Sequence, residues 1–296
     1  MREKFSSYSY SNKGKKRVDH DQLFKQLIYY FFEEFLEVFF PDVHAHIDFS
    51  SIKPLSEEVY TDVIQGDARK LDIVIEAKLR GEESVLLIHV EPQSYEQKDF
   101  HKRMYHYFSL LYNKYKKPIV PIAVFSYDEK RNEPNEFDIA FPFFHVLHFR
   151  FLTLELKQKR WLDYIKSDNP AAAALLGKMG YKKEEKVQVK LEFLKMLVRM
   201  ELDPAKSKFI HDFFEVYLKL DSKEEEKLMK DIRDLDGVKE FLELPNSWEE
   251  RGIRKGVEKG MRQGVKKVAL EMLKKGLPIE LIEEVTELSR SEIEKL

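Results

Sequence analysis

An acid set among Leu, Ile and Val needs a partner, because burying an unpaired carboxylate is costly. Two such acids occur close together in this chain. Asp72 lies in the run KLDIVIEAKL (residues 70–79), and Glu91 sits near the end of VLLIHVEPQ (residues 85–93). The charged turn RGEES joins the two runs, so they read as neighbouring strands. A shared divalent cation accounts for both acids at once. Mg²⁺ prefers oxygen ligands and takes only one or two carboxylates from a protein while keeping several waters. Held there, with a backbone carbonyl of residues 91–93 as a third ligand, it would polarise a phosphoryl oxygen and lower the pKa of a bound water. Glu91 and Gln93 are two apart and face one side of a strand. Gln93 is thereby set to meet an attacking water or a phosphate. The chemistry indicated is metal-dependent hydrolysis. The plainer alternative is a structural ion pair of the acids with Lys70, Arg103 or another base, with Gln93 a satisfied buried amide.

The elements that position these residues follow from periodicity. Residues 19–40 predict a helix, with Leu23, Phe24, Leu27, Ile28, Phe31, Phe35, Leu36 and Phe39 at helical spacing and Pro41 ending it. Residues 43–66 contain alternating β-formers and then a Gln65-Gly66-Asp67 turn. The two acid-bearing strands come next, at 69–78 and 84–91. Residues 99–116 predict a helix with Met104, Tyr105, Phe108, Leu111, Tyr112 and Tyr115 on one side. Arg103 and Tyr107 are one turn apart on it, placed either to hold a phosphate or to pair with Glu91. Strands at 119–126 and 144–156 complete an α-β-β-β-α-β-β unit, a mixed sheet flanked by helices.

Beyond residue 170 the pattern is helical. Asp203-Pro204 has the form of an N-cap and first helical residue, and Ser222-x-x-Glu225 that of a capping box. In the last fifty residues glycine recurs every fourth position at Gly252, Gly256, Gly260 and Gly264. Four interior glycines cost a helix roughly 4 kcal/mol relative to alanine. Their spacing forms one ridge along which a second helix can approach closely, so self-association through this helix offsets the cost. A flexible connector is the bland alternative. Short helices after it, one capped by Ser289-x-x-Glu292, resemble either a helix-turn-helix or an ordinary helical hairpin.

Composition sets the outer bounds. With 51 Lys+Arg against 53 Asp+Glu, the net charge is −2, so no global basic field points to nucleic acid. Basic patches are local, at residues 1–17 and 251–267. The absence of cysteine excludes disulfides and thiolate metal sites. No apolar run has the length of a membrane span, and residues 1–17 do not resemble a secretory signal, so a cytoplasmic protein with no membrane partner is expected. His44, His46, His145 and His148 show no four-ligand spacing for zinc. No Gly-rich loop follows a strand, and no nucleophile elbow surrounds a serine.

The pattern Asp72…Glu91-x-Gln93, on two strands between helices, resembles the PD-(D/E)XK nuclease superfamily. More narrowly it is similar to the recombination-promoting nuclease (Rpn, transposase-like) family. The similarity is carried by His20-Asp21-x-x-Phe24-Lys25, Leu71-Asp72-Ile73-Val74, Ile88-His89-Val90-Glu91-Pro92-Gln93, and Phe100-x-x-Arg103-Met104-x-x-Tyr107. The four-spaced glycines with Met272-Leu273-Lys274-Lys275-Gly276 and Leu288-Ser289 add to it. It covers residues 19–130 and 247–296. The resemblance implies an α/β, restriction-endonuclease-like mixed sheet flanked by helices, followed by an all-helical C-terminal region. It also implies Mg²⁺-dependent DNA endonuclease activity, with Mn²⁺ as a substitute, tied to recombination or mobile elements. Asp72 and Glu91 are then the metal ligands, and Asp72, Glu91 and Gln93 the catalytic set. Asp21, Lys25, Arg103 and Tyr107 are accessory candidates, Asp21 being equally suited to interact with its helix dipole. Gln93 stands where the wider superfamily has lysine, bringing dipoles in place of a charge. That departure keeps a second expectation open: a catalytically inactive nuclease fold serving as a binding or self-association module. The expected organisation is a basic disordered tail (1–17), a nuclease-like domain (18–165), a helical region (166–245), and a glycine-ridged helix with a short helical hairpin (246–296).

Overall fold

The computed structural model describes residues 20–55, 59–61, 68–70, 73–82, 84–93, 98–233, 264–266, 268–274, 278–286 and 288–293. The expected N-terminal helix is present but broken. Helix α1 (His20–Tyr30) and α2 (Phe32–Phe39) meet at Phe31, whose φ of −125° and ψ of 43° leave the helical region. The apolar stripe passes through the break, so Leu27, Ile28, Phe31, Phe35 and Leu36 are all buried. Pro41 does not only terminate. It opens α3 (Pro41–His46) from the first-turn position, where its fixed φ and missing N–H cost nothing. The β-pattern expected from residue 43 therefore starts later, at β1 (Ile47–Pro54).

Two short strands, β2 (Val59–Thr61) and β3 (Ala68–Lys70), pair only with each other. β4 (Ile73–Leu79), β5 (Val85–Gln93), β6 (Ile119–Phe125) and β9 (Leu152–Glu155) join β1 in a five-stranded mixed sheet of order β1-β4-β5-β6-β9. The first three strands run antiparallel, as short connections permit. Helix α4 (Phe100–Tyr115) then carries the chain back so that β6 lies parallel to β5. β5 is the middle strand, which explains its nearly continuous apolar run: residues 86–93 are all buried. The expected single strand 144–156 is two. β7 (Glu136–Phe141) and β8 (Phe144–Arg150) form a hairpin, and after buried Phe151 the chain enters the sheet as β9.

α4 is held against this frame by Phe100 and Met104, which share a buried cluster with Ala123, Phe125, Tyr127 and Phe149. It starts after Asp99, a residue in the left-handed region at φ 58°, a conformation Asp tolerates better than most. Downstream, α5 (Pro170–Leu175), α6 (Lys186–Met200), α7 (Pro204–Tyr217) and α8 (Ser222–Arg233) follow as expected in kind. Asp203 caps α7 by accepting from the Ala205 and Lys206 amides. The box on α8 lies one residue earlier than expected. Asp221 accepts from the Glu224 amide at 2.9 Å, and Glu224 accepts from the Asp221 amide at 2.8 Å. Buried Lys190 is ion-paired with Glu215 between α6 and α7.

α5 and α7 pack on the N-terminal helices: Asn169 donates to the Glu34 carbonyl at 2.8 Å, and the Phe24 ring meets Phe213 at 5.3 Å. Residues 1–243 accordingly make one compact unit and 244–296 a second. The second has its own core of Ala269, Ile282, Leu288 and Ile293. In it Glu292 accepts from the Ser289 amide, the expected cap of the last short helix. The residues expected to form the basic tail, and Gly252, Gly256 and Gly260, lie outside the described residues. Of the ridge, Gly264 alone is described, in a helical stretch and with open space beside its Cα.

Candidate functional site

β5 places His89, Glu91 and Gln93 on one face by strand alternation, and the next helix supplies what meets them. Glu91 is 5% exposed and Gln93 3%. Arg103, on the first turns of α4, donates from Nη2 to Glu91 Oε1 at 3.3 Å and to Gln93 Oε1 at 2.5 Å. One guanidinium thus joins both residues of the E-x-Q pair. Its own orientation is fixed by aromatic rings, with Phe100 at 4.9 Å and Tyr107 at 5.8 Å from the guanidinium carbon.

On the other side of Glu91, His89 Nε2 lies 3.4 Å from Oε2. His89 is fully buried and meets the Tyr107 ring edge-on at 5.8 Å. Tyr107 serves as a wall, its ring touching both His89 and Arg103. The end of β5 is anchored as well: the Ser126 amide donates to the Gln93 carbonyl at 2.9 Å. Pro92 is in register with Val124 of β6.

The structure brings Glu91, Gln93, Arg103 and Tyr107 into one cluster. Asp72 lies outside the described residues. Asp21 belongs to α1, and its side chain lies outside the description too. Lys25 is half-buried in a cleft of about 300 Å³ between α1, the end of β1 and β4. Gln22, Tyr29, Leu55, Ile73 and Val74 line the same cleft, and Glu91, Gln93 and Arg103 do not. His89 is the member of the cluster not singled out from sequence. Its signal was parity, since 89, 91 and 93 must share a strand face.

The donor set suits a hard cation in kind. The buried Glu91 carboxylate is an oxygen ligand, and Mg²⁺ needs as few as one carboxylate from the protein. The same carboxylate faces Arg103, so it already has a positive counter-charge. Comparison with protein-family models, with curated proteins and with solved structures gives no match for this chain. Among the described residues, no helix is long and apolar enough to cross a membrane.

Proposed function

We propose that this chain is a metal-dependent DNA endonuclease with a restriction-endonuclease-like sheet, hydrolysing phosphodiester bonds in recombination or mobile-element events. The observation that carries the reading is the buried Glu91–Gln93 pair on the middle strand, joined by Arg103 from the following helix. The element order supports it: two adjacent antiparallel strands follow an N-terminal helix and precede another helix. Asp72 immediately precedes Ile73 and Glu91 immediately follows Val90, the two members of the last described strand pair.

In this reading Asp72 and Glu91 hold Mg²⁺ or Mn²⁺. The ion, when bound, supplies Lewis-acid activation of a water and of the scissile phosphate. Arg103 holds the Gln93 carbonyl oxygen, which fixes the amide nitrogen as the donor end toward water or phosphate. Phe100 and Tyr107 shield the guanidinium and strengthen its interactions by excluding water. Arg103 also balances the Glu91 charge before an ion arrives.

That last contact favours a second reading. An arginine on both Glu91 and Gln93 is what a retired site would keep as a structural ion pair, leaving a binding or self-association module. Plasmid nicking in Mg²⁺ and in Mn²⁺ tests the first reading. Wild type nicks, Asp72→Ala and Glu91→Ala do not, and Gln93→Ala loses roughly 10²-fold, the cost of one transition-state donor. Asp72→Ala that cuts like wild type removes the site assignment. Calorimetric titration separates the readings: saturable Mn²⁺ binding lost in Glu91→Ala supports the enzyme, and no binding supports the module.

A further inference from the structure

The hairpin β7–β8 carries a cluster that the Glu91 site does not use. His145 and His148 are three apart, a spacing that puts two strand residues on opposite faces. The pairing changes this. Asp138 faces His148 and Ile139 faces Leu147, but Ala140 faces His145, so Val146 is an extra residue in β8. Such a bulge turns the strand by one side chain and brings His145 round to the face of His148. Both imidazoles converge on Asp138. His145 Nε2 lies 2.9 Å and His148 Nδ1 2.8 Å from the same Asp138 Oδ1.

We infer that Asp138, His145 and His148 form a three-ligand site for a divalent late transition metal, Zn²⁺ being the ion whose preferences it meets best. Two imidazoles and one carboxylate suit such ions, whereas a hard cation such as Mg²⁺ selects oxygen donors. The three ligand atoms lie within 4.8 Å of one another, near the spacing of about 3.3 Å that tetrahedral bonds of about 2.0–2.1 Å impose. Each imidazole needs to draw back from Asp138 by only about half an ångström. Each side chain is exposed, at 39% for Asp138, 56% for His145 and 49% for His148, so an ion reaches the site and a fourth position stays open to water.

A bound ion ties β7 to β8 across the bulge. Through Phe137, which meets Tyr105 at 5.3 Å and His101 at 6.0 Å, it also steadies the hairpin against α4. The exposed pair Phe141 and Phe143, stacked at 5.7 Å, lies at the hairpin end that the tie would order.

The test is calorimetric titration of the untagged full chain with Zn²⁺, with excess Mg²⁺ present. The expected result is one tight equivalent, an increase in melting temperature with Zn²⁺, and weaker binding on acidification because imidazole ligates only when neutral. His145→Ala and His148→Ala each weaken binding by roughly tenfold or more, about 1.4 kcal/mol. Glu91→Ala leaves it unchanged, so this site and the proposed nuclease site fail independently. Either of two results overturns the inference. One is wild type without a saturable equivalent. The other is a folded His145→Ala/His148→Ala double variant, checked by circular dichroism, that binds like wild type.

Discussion

At the scale of single residues, Arg103 decides how Glu91 is tolerated inside the sheet. A hydrogen bond to a charged group contributes about 1.5–3 kcal/mol, and losing it leaves the buried partner poorly solvated. Arg103→Ala should therefore lower the unfolding free energy by about 2 kcal/mol in urea denaturation. Part of that loss should vanish in the double variant with Glu91→Gln, because the charge that needed balancing is gone. A double-mutant cycle measures the coupling, and a value near zero would contradict the pairing. The two are also separable by activity, since Glu91→Gln should abolish nicking while costing less stability than Arg103→Ala. Sequence made the acid and the amide visible through strand parity, and left Arg103 divided between phosphate and Glu91. Three-dimensional packing of α4 on β5 places Arg103 against Glu91. His89 was hidden for a different reason. In the run VLLIHVEPQ an imidazole is as compatible with a core position as with a site, and only its 3.4 Å approach to Glu91 distinguishes them.

At the scale of elements, long periodic segments were legible and their joints were not. The stripe through Leu27, Phe31 and Phe35 reads as one helix because side-chain burial continues across the kink at Phe31, which periodicity does not register. Residues 144–156 read as one strand because Phe149, Phe151 and Leu154 are all buried, yet the chain leaves a hairpin for the sheet between them. The bulge at Val146 was equally invisible, and with it the meeting of His145 and His148. Capping was misread by one residue, since both Asp221 and Ser222 suit the role and acids stand at 224 and 225 alike. The structure gives the cap to Asp221, whose carboxylate accepts from the Lys223 and Glu224 amides. Asp221→Ala should cost about 1 kcal/mol of stability in chemical denaturation, with Ser222→Ala near neutral. The reverse order would return the cap to Ser222.

At the scale of the whole molecule, α5, α6 and α7 are part of the compact unit that holds the sheet. Asn169 joins α5 to α2 through the Glu34 carbonyl and the Glu37 carboxylate, and Phe193 and Phe214 stack at 3.8 Å between α6 and α7. Since residues 1–243 and 244–296 each form a compact unit, a chain ending at Glu243 should melt at the same temperature as the full chain. A large drop in differential scanning calorimetry would show that the first unit depends on the second. The candidate site, by contrast, is local. Arg103 reaches Glu91 across 12 residues of chain and Gln93 across 10, whereas Asn169 reaches Glu34 across 135. Closing the longer loop costs about 2 kcal/mol more chain entropy. During synthesis from the N-terminus, β5, α4 and β6 are complete before Asn169 exists. The Glu91–Arg103 pair therefore needs none of the chain beyond β6 to form, whereas the covering of the N-terminal helices by α5 and α7 needs residues as far along as Asn169 and Phe213 to be in place.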